Sequence, residues 1–279
     1  MKPVMAADAA EEGDHSHLPP HAPVCTALDW MGRLLAYQHE RSRFKTEQTM
    51  SGGKTQPPTG PRGKVVMLKT ARKRSVASQR WLTRQLNDPY VAAAKAQGWR
   101  SRAAFKLIEL DDKFGLISKG SRVIDLGAAP GGWTQVAMKR GAAVVVGVDL
   151  LPVDPVPGAT LIQGDFNDDD MPARLSSLMG GKADLVMSDM APNTTGHAAT
   201  DHMRIIALTE LALHFAFDAL APGGAFVAKV FQGGSEKQLL EPMKQRFASV
   251  RHAKPASSRK ESSELYVVAK GFRPNGLQD

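Results

Sequence analysis

Two patterns of hydrophobic and polar positions alternate along the chain from about residue 72 onward. Short runs rich in Val, Ile and Leu, typical of buried strands, are mostly separated by segments with the length and spacing of amphipathic helices. The strand-like runs are RVIDL (122–126), AVVVGVDL (143–150), ATLIQ (159–163), ADLVMSD (183–189), AFVAKVF (225–231), ASVRHA (248–253) and ELYVVAKG (264–271).

This alternation predicts an α/β fold with a doubly wound sheet. The first five runs are predicted to form parallel βαβ units. The last two are too close in sequence for a parallel crossover, which needs a dozen or more residues, so they are predicted to pair antiparallel. The expected sheet therefore has seven strands, mostly parallel, with the last strand antiparallel. A helix is also predicted over 100–115; Gly115 ends it, and its broad apolar face contains Ala104, Leu107, Ile108 and Leu110.

The composition of the N-terminal part differs from that of the rest. Residues 1–70 mix His, Pro, Gly and acidic residues without a sustained period, and SGGKTQPPTGPRGK (51–64) is typical of a linker. We expect 1–70 to be a polar, largely disordered extension and 71–279 to be one folded domain. No apolar run approaches the roughly 20 residues that span a bilayer, and no secretory signal is recognisable. Cys25, the single cysteine, cannot form an internal disulfide or a multi-cysteine zinc site, so we expect a cytoplasmic protein with no bound metal.

Positive charge is concentrated in one part of the chain. The net charge is +8, and residues 51–106 contain 13 Lys and Arg against one acidic residue. Within the predicted domain, the basic positions of this block are Arg72, Lys73, Arg74, Arg80, Arg84, Lys95, Arg100 and Arg102. A second basic group lies further along the chain, at Arg251, Lys254, Arg259 and Lys260. Such a block predicts a polyanionic partner. A membrane surface is disfavoured because no long apolar face accompanies the charges.

A glycine-rich loop follows the first predicted strand, in VIDLGAAPGGW (123–133). A buried strand, a glycine turn and a helix in this order form the nucleotide-binding position of a doubly wound sheet. The dinucleotide fingerprint needs a second glycine where this chain has Ala129, so an NAD-dependent oxidoreductase is disfavoured. A nucleoside cofactor without a pyrophosphate, such as S-adenosylmethionine (SAM), fits this loop better.

Three carboxylates end successive predicted strands. Asp149 ends the second strand at about the offset from which a carboxylate binds ribose hydroxyls. Asp165 follows the third strand, where it can accept a hydrogen bond from an adenine amino group, and Asp189 ends the fourth. A single Asp after a strand is usually a cap or turn residue, but three at neighbouring strand ends favour a binding site.

With these segments in view, the sequence resembles the FtsJ/RlmE family of SAM-dependent methyltransferases that act on the ribose 2′-hydroxyl of a uridine in 23S ribosomal RNA. The likeness runs from about Arg72 to Arg273. The matching segments are RSRAAFKL (100–107), DLGAAPGGWTQ (125–135), VDLLPVDP (148–155), QGDF (163–166), VMSDMAPNTTG (186–196), LAPGGAFVAKVFQG (220–233) and KPASSRKESSELYVVA (254–269). The resemblance implies a Rossmann-like SAM-dependent methyltransferase domain over 71–279.

The resemblance also implies roles for particular residues. The family's Lys-Asp-Lys-Glu catalytic set corresponds to Lys106, Asp189, Lys229 and Glu264. Its SAM contacts correspond to Gly131, Trp133, Asp149, Asp165 and Asp189.

Lys229 is the expected general base. It is unusual even without the resemblance, since buried lysines are uncommon unless paired. It can accept the hydroxyl proton only as a neutral amine, a form that burial, the cation Lys106 and the sulfonium charge would favour and that the carboxylates of Asp189 and Glu264 would oppose. Asp189 and Glu264 are expected to orient the lysines and hold the ribose.

The expected partner is the large ribosomal subunit with its 23S rRNA, recognised by a chain that acts as a monomer and binds neither DNA nor membranes. Two alternatives remain open at this point. One is the same chemistry on tRNA, which composition does not separate from rRNA. The other is an RNA-binding ribosome-assembly factor without essential catalysis, which the complete four-residue set disfavours.

Overall fold

A computed structural model describes residues 76–192, 195–232 and 236–276. The expected disordered extension over 1–70 lies outside these residues. The helices of the described part are α1 (Val76–Leu86), α2 (Pro89–Ala96), α3 (Ala103–Phe114), α4 (Gly132–Lys139), α5 (Met171–Met179), α6 (Ala198–Ala219) and α7 (Glu236–Arg246). The strands are β1 (Arg122–Leu126), β2 (Val144–Asp149), β3 (Ala159–Gln163), β4 (Ala183–Ser188), β5 (Leu220–Phe231), β6 (Phe247–Ala253) and β7 (Glu264–Phe272).

The strands form one sheet in the order β3-β2-β1-β4-β5-β7-β6. The pairs among the first five strands are parallel, whereas β7 is antiparallel to both of its neighbours. The predicted fold class and the predicted antiparallel pairing of the last two strands are therefore confirmed. The sequence pattern did not predict that β7 lies between β5 and β6, because a local pattern does not specify which strand a terminal hairpin joins.

Helices cover both faces of the sheet. Alternate side chains of a strand point to opposite faces, so Ile124 packs against the core beneath α5, α6 and α7, while its neighbour Val123 packs against α3 and α4. The predicted helix over 100–115 is observed as α3. Gly115 ends it in the left-handed conformation (φ 58°), which glycine adopts at little cost.

This packing brings several strand ends together at one edge of the sheet. Parallel strands bring their carboxyl ends together, so the loops after β1, β2, β3 and β4 meet there. The antiparallel β7 begins at the same edge, because Glu264 pairs with Phe231 near the end of β5.

Candidate active site

The glycine loop after β1 is packed directly on the segment after β4. Gly127 has φ 79°, and a Cβ atom there would lie 2.8 Å from Met190 Cγ and 2.9 Å from its backbone nitrogen. A side chain at this position would therefore be both strained and in collision. The loop needs glycine here so that the two strand ends can approach each other.

Arg100 connects the end of this loop to the segment after β2. Its guanidinium donates to the carbonyl oxygens of Pro130, Asp154 and Pro155, at 3.2 Å for the first and 2.6 Å for the last. Gly131, the residue before α4, lies beneath this group, and a Cβ atom there would be 2.6 Å from Arg100 Nη1. Arg100 thus fixes the outer wall of the loop.

Asp149 and Asp165 line a cleft of about 470 Å³ together with Gly127, Phe166 and Met190. Asp149 accepts hydrogen bonds from the amides of Ala129 (2.8 Å) and Leu151 (2.9 Å). Burial raises the pKa of Asp149, and these amide bonds oppose the rise. Asp165 is half-buried and accepts from the backbone and side chain of Asn167.

Three predicted cofactor residues remain, Gly131, Trp133 and Asp189, and none of them lines the cleft. Trp133 is buried, its indole N–H donates to the Ala103 carbonyl at 2.8 Å, and its ring centroid is 5.6 Å from that of Tyr266. The ring therefore belongs to the core between α3 and the sheet. Neither Gly131 nor Trp133 lines the cleft, and both stand at the first turn of α4, where helical amides lack intrahelical partners.

Lys229 and Asp189 form a close pair at the strand ends. The Lys229 Nζ atom lies 2.6 Å from the Asp189 carbonyl oxygen and 3.0 Å from Asp189 Oδ1. The Lys229 side chain is 8% exposed and that of Asp189 is 18% exposed. Lys229 is the third residue from the end of β5, so strand pairing determines where its amine lies.

Lys106 and Glu264 form the second pair. Lys106, on α3, has its Nζ atom 2.7 and 2.8 Å from the two carboxylate oxygens of Glu264. Ser258 Oγ donates to Glu264 Oε1 at 2.8 Å.

Tyr266 joins the two pairs. Its hydroxyl donates to Asp189 Oδ1 at 2.7 Å and accepts from Lys106 Nζ at 3.2 Å. The four predicted catalytic residues are thus brought together in one hydrogen-bonded chain, in the order Lys229, Asp189, Tyr266, Lys106, Glu264. We refer to these five residues as the polar chain.

The protonation states of the polar chain follow from its neighbours. Burial acts to raise the pKa of Asp189, but the charges of Lys229 and Lys106 and the Tyr266 hydrogen bond outweigh it, so that pKa lies below its ordinary value. Burial and the carboxylates of Asp189 and Glu264 raise the pKa of Tyr266 well above 10. The phenol therefore stays protonated and can donate to an ionised Asp189.

Asp125 supports the glycine loop from below. It is fully buried in β1, accepts from Thr134 Oγ1 at 2.7 Å, and leaves its other oxygen without a hydrogen-bond partner. Burial, opposed by the Thr134 hydrogen bond, raises its pKa to about 7. It ties β1 to the first turn of α4.

Tyr266 and Ser258 were missed by sequence reasoning. The signal for Tyr266 was present: it lies two positions after Glu264, on the same face of a strand, and a hydroxyl inside a buried strand needs a partner. Ser258 gives no such signal, because a serine in a loop rich in serines is usually solvated.

Some of the basic residues from which a polyanionic partner was predicted form bonds within the fold. Arg100 binds backbone carbonyls, as described, while Arg102 and Arg259 each lie 3.2 Å from Asp88 Oδ2. Among basic residues of both groups within the described part, the exposed ones are Arg84, Lys95, Arg251, Lys254 and Lys260.

Two kinds of feature are absent from the part of the chain that the structure describes. Over 76–192, 195–232 and 236–276, no group of three or more His, Cys, Asp or Glu side chains could hold a metal ion. In the same part of the chain, no helix has the length and apolar character needed to cross a membrane.

Comparison with known proteins places this geometry in a family. The model of the FtsJ-like methyltransferase family matches residues 99–272. The ribosomal RNA large subunit methyltransferase E of Gluconobacter oxydans is 72% identical over 216 residues, covering 77% of this chain and 81% of that protein. The protein of the same name from Acidiphilium cryptum is 69% identical over 75% of this chain and 93% of its own length.

A solved structure supports the same assignment. A ribosomal RNA methyltransferase from Plasmodium falciparum is 32% identical, with a TM-score of 0.57, and the match covers 64% of this chain and all of that one. The family match spans more than half of the chain and contains the polar chain and the cleft. This protein is therefore a member of the FtsJ-like methyltransferase family.

Proposed function

We propose that this enzyme transfers a methyl group from SAM to the ribose 2′-hydroxyl of a uridine in large-subunit (23S) rRNA, and that its substrate is the assembled large subunit. The observation that carries the proposal is the polar chain, in which Lys229 pairs with Asp189, whose neighbour in sequence, Met190, lines the cleft together with the strand-end carboxylates Asp149 and Asp165. The names of the relatives supply the rRNA substrate class. We further propose that the chain acts as a monomer in the cytoplasm, where ribosomal subunits are found.

The residues of the cleft fit SAM. Each Asp149 oxygen receives one amide, and a carboxylate oxygen can accept a second hydrogen bond, so ribose hydroxyls can still bind there. Asp165 keeps Oδ2 for the adenine amino group, and Phe166 supplies an apolar wall. Trp133 would contribute its backbone amide at the α4 N-terminus, since its ring is already packed in the core. When bound, the cofactor supplies an electrophilic methyl group on a sulfonium.

Lys229 would accept the proton of the 2′-hydroxyl. Two acceptors lie within hydrogen-bond distance of its Nζ atom, the carbonyl oxygen and the Oδ1 of Asp189. A neutral amine has two N–H bonds and one lone pair, so both N–H groups can be held while the lone pair stays available for the proton. The pairing with Asp189 therefore orients the base for an in-line attack, in which alignment alone contributes several kcal/mol.

The remaining members of the polar chain would position the substrate. Lys106 donates to Glu264 and Tyr266, which holds a positive charge beside the reacting oxygen without leaving that charge unpaired. A fixed cation stabilises the negative charge that develops on the hydroxyl oxygen as its proton leaves. Tyr266 keeps Asp189 in the conformation that holds Lys229.

Exposed basic residues would bring the RNA to this edge. Arg251, Lys254 and Lys260 belong to β6 and the following loop, which leads into Glu264. Contacts with phosphates give affinity that is independent of sequence and that decreases steeply with salt.

The test is the transfer of radiolabelled methyl from SAM to large subunits purified from a strain that lacks this gene. Free 23S rRNA, tRNA and small subunits are offered in parallel, and the Lys229→Ala protein serves as the inactive control. We expect label on the large subunit, recovered after alkaline hydrolysis as a 2′-O-methyl dinucleotide. Label only on tRNA would replace the substrate in this proposal. Binding of SAM without label on any RNA would favour an assembly factor.

A further inference from the structure

Asp88 holds two guanidiniums with one buried carboxylate. It precedes α2, is 9% exposed, and its Oδ1 atom accepts the Tyr90 amide at 3.0 Å. Its Oδ2 atom lies 3.2 Å from Arg102 Nε and 3.2 Å from Arg259 Nη2. Arg259 belongs to the segment between β6 and β7, residues 254–263, which we call the β6–β7 loop. Asp88 itself lies outside the residues that the family model matches.

The β6–β7 loop is anchored on the helices at further points. The Ser257 amide donates to Glu109 Oε2, on α3, at 3.0 Å, and its carbonyl oxygen accepts from the Arg102 guanidinium. Ser257 is fully buried. Arg102 therefore touches the loop directly and Asp88 at the same time.

The anchored loop reaches the polar chain through its next residue. Ser258 is 5% exposed, and its hydroxyl donates to Glu264 Oε1, the carboxylate that holds Lys106. A continuous series of contacts thus runs from Asp88 through the arginines and the β6–β7 loop to Glu264 and Lys106.

We propose that Asp88 is a positioning residue for methyl transfer: by holding Arg102 and Arg259 it fixes the β6–β7 loop, and through it the place of Glu264 beside Lys106. The inference rests on the roles proposed above for Glu264 and Lys106. Without the charge of Asp88, two guanidiniums would face each other across a largely buried site without the carboxylate that they share, and the loop would shift to separate them. Displacement of a positioning group by about 1 Å costs up to ~100-fold in rate.

The experiment compares Asp88→Asn with the wild-type chain. Asparagine caps a helix N-terminus about as well as aspartate, so the variant removes the charge and keeps the cap of α2. Asp112→Asn is the matched control, because Asp112 also pairs with an arginine, Arg140, but has no contact with the loop. We expect kcat on large subunits to fall about 10-fold in Asp88→Asn. The KM for SAM stays the same in both variants, and kcat stays at the wild-type value in the control.

A double-mutant cycle separates positioning from a general loss of structure. If Asp88 acts through Glu264, Asp88→Asn lowers kcat strongly in the wild-type background and little in the Glu264→Gln background. An equal fold-loss in both backgrounds, or no loss in either, overturns the proposal.

Hydrogen exchange gives a readout that does not depend on activity. Amides of 256–262 are expected to exchange faster in Asp88→Asn than in the wild-type chain, with no change in Asp112→Asn. If the wild-type enzyme methylates no RNA, the proposed function fails, while faster exchange confined to Asp88→Asn would still support the anchoring of the loop. Unchanged exchange would overturn the anchoring itself.

Discussion

The parallel and antiparallel parts of the sheet are organised on different principles. In the cleft beside β1, β2 and β3, the carboxylates of Asp149 and Asp165 are held by amides only 2 to 20 positions away. At β5 and β7, side chains bond to other side chains 40 to 160 positions away, as Lys229 does with Asp189 and Lys106 with Tyr266. The candidate cofactor site is therefore built from local loops, whereas the candidate catalytic site depends on long-range register.

The register of β5 with β7 brings the candidate catalytic residues to one face of the sheet. Lys229 is paired with Tyr266, and Phe231 with Glu264. Directly opposite residues point to the same face, and residues two apart share a face, so Glu264 and Tyr266 both lie on the side of Lys229. A slip of one residue would turn the carboxylate and the phenol away.

The largest expected effect concerns only the candidate catalytic residues at β5 and β7. Lys229→Ala is expected to lower kcat by about 10²- to 10⁴-fold, because a general base contributes that much. The dissociation constant for SAM should change little, since Lys229 does not line the cleft. Turnover and calorimetric SAM binding measure the two quantities, with the exposed Lys244→Ala as a control. Near-normal turnover would show that Lys229 is not the base.

The next effect concerns only the cleft beside β1, β2 and β3, where we propose that SAM binds. Asp149→Asn replaces a charged acceptor for ribose hydroxyls by a neutral one, and we expect the KM for SAM to rise about 10-fold, since a hydrogen bond to a charged group contributes roughly 1.5–3 kcal/mol. The value of kcat at saturating SAM is expected to stay near that of the wild type. Asp154→Asn, an exposed carboxylate in the same loop, is the control. A fall in kcat without a change in KM would contradict the proposed separation of SAM binding in the cleft from catalysis at β5 and β7.

A smaller effect is expected at the residue that joins the two pairs. Tyr266→Phe removes the donor to Asp189 Oδ1 and keeps the packing of the ring against Trp133. A hydrogen bond to a charged group contributes roughly 1.5–3 kcal/mol, of which only the part that acts through the position of Asp189 affects turnover, so we expect kcat to fall about 5-fold with no change in SAM binding. The opposite pattern, weaker SAM binding at unchanged kcat, would show that Tyr266 contributes to SAM binding and not to catalysis. Steady-state kinetics over a range of SAM concentrations distinguishes the two.

The smallest effect is expected at Asp125, where the quantity that changes is the pH dependence of the free energy of unfolding. The pKa of Asp125 is about 7 in the folded state against an ordinary value of 3.8, so between these values the folded state binds a proton that the unfolded state has lost. The free energy of unfolding therefore decreases as pH rises from 5 to 7, by at most about 1.4 kcal/mol per unit. Asp125→Asn does not titrate.

Denaturant titrations at pH 5 and pH 8 measure this dependence. Relative to the wild type, Asp125→Asn should become more stable as the pH rises, while Asp169→Asn, at an exposed carboxylate, should show no such trend. A constant difference between Asp125→Asn and the wild type at both pH values would contradict the prediction.

Most of the fold could be predicted because each strand has a local signal. The apolar runs, the helix before Gly115 and the short connection between the last two strands all depend on neighbours in sequence. The insertion of β7 between β5 and β6 depends on which sheet edge is open when the hairpin docks. No local pattern carries that information.

The candidate site divides in the same way. The strand-end carboxylates were predictable because parallel strands bring their carboxyl ends together. Lys106 and Glu264 were assigned by resemblance, and their pairing emerges only when α3 and β7 are packed together. Asp88 and its two arginines escaped prediction because separate charges in sequence do not reveal that they share one carboxylate oxygen.

The late position of β7 also sets an order of events during synthesis. A chain emerges from the ribosome N-terminal end first, so the strands that form the SAM cleft are available well before residues 264–272. Until β7 pairs with β5, Lys229 lacks Tyr266 opposite it and Lys106 lacks Glu264. On the roles proposed above, the nascent chain can therefore form its cofactor cleft before it completes the polar chain, and a ribosome that is making this enzyme meets its activity only after residues 264–272 have been translated.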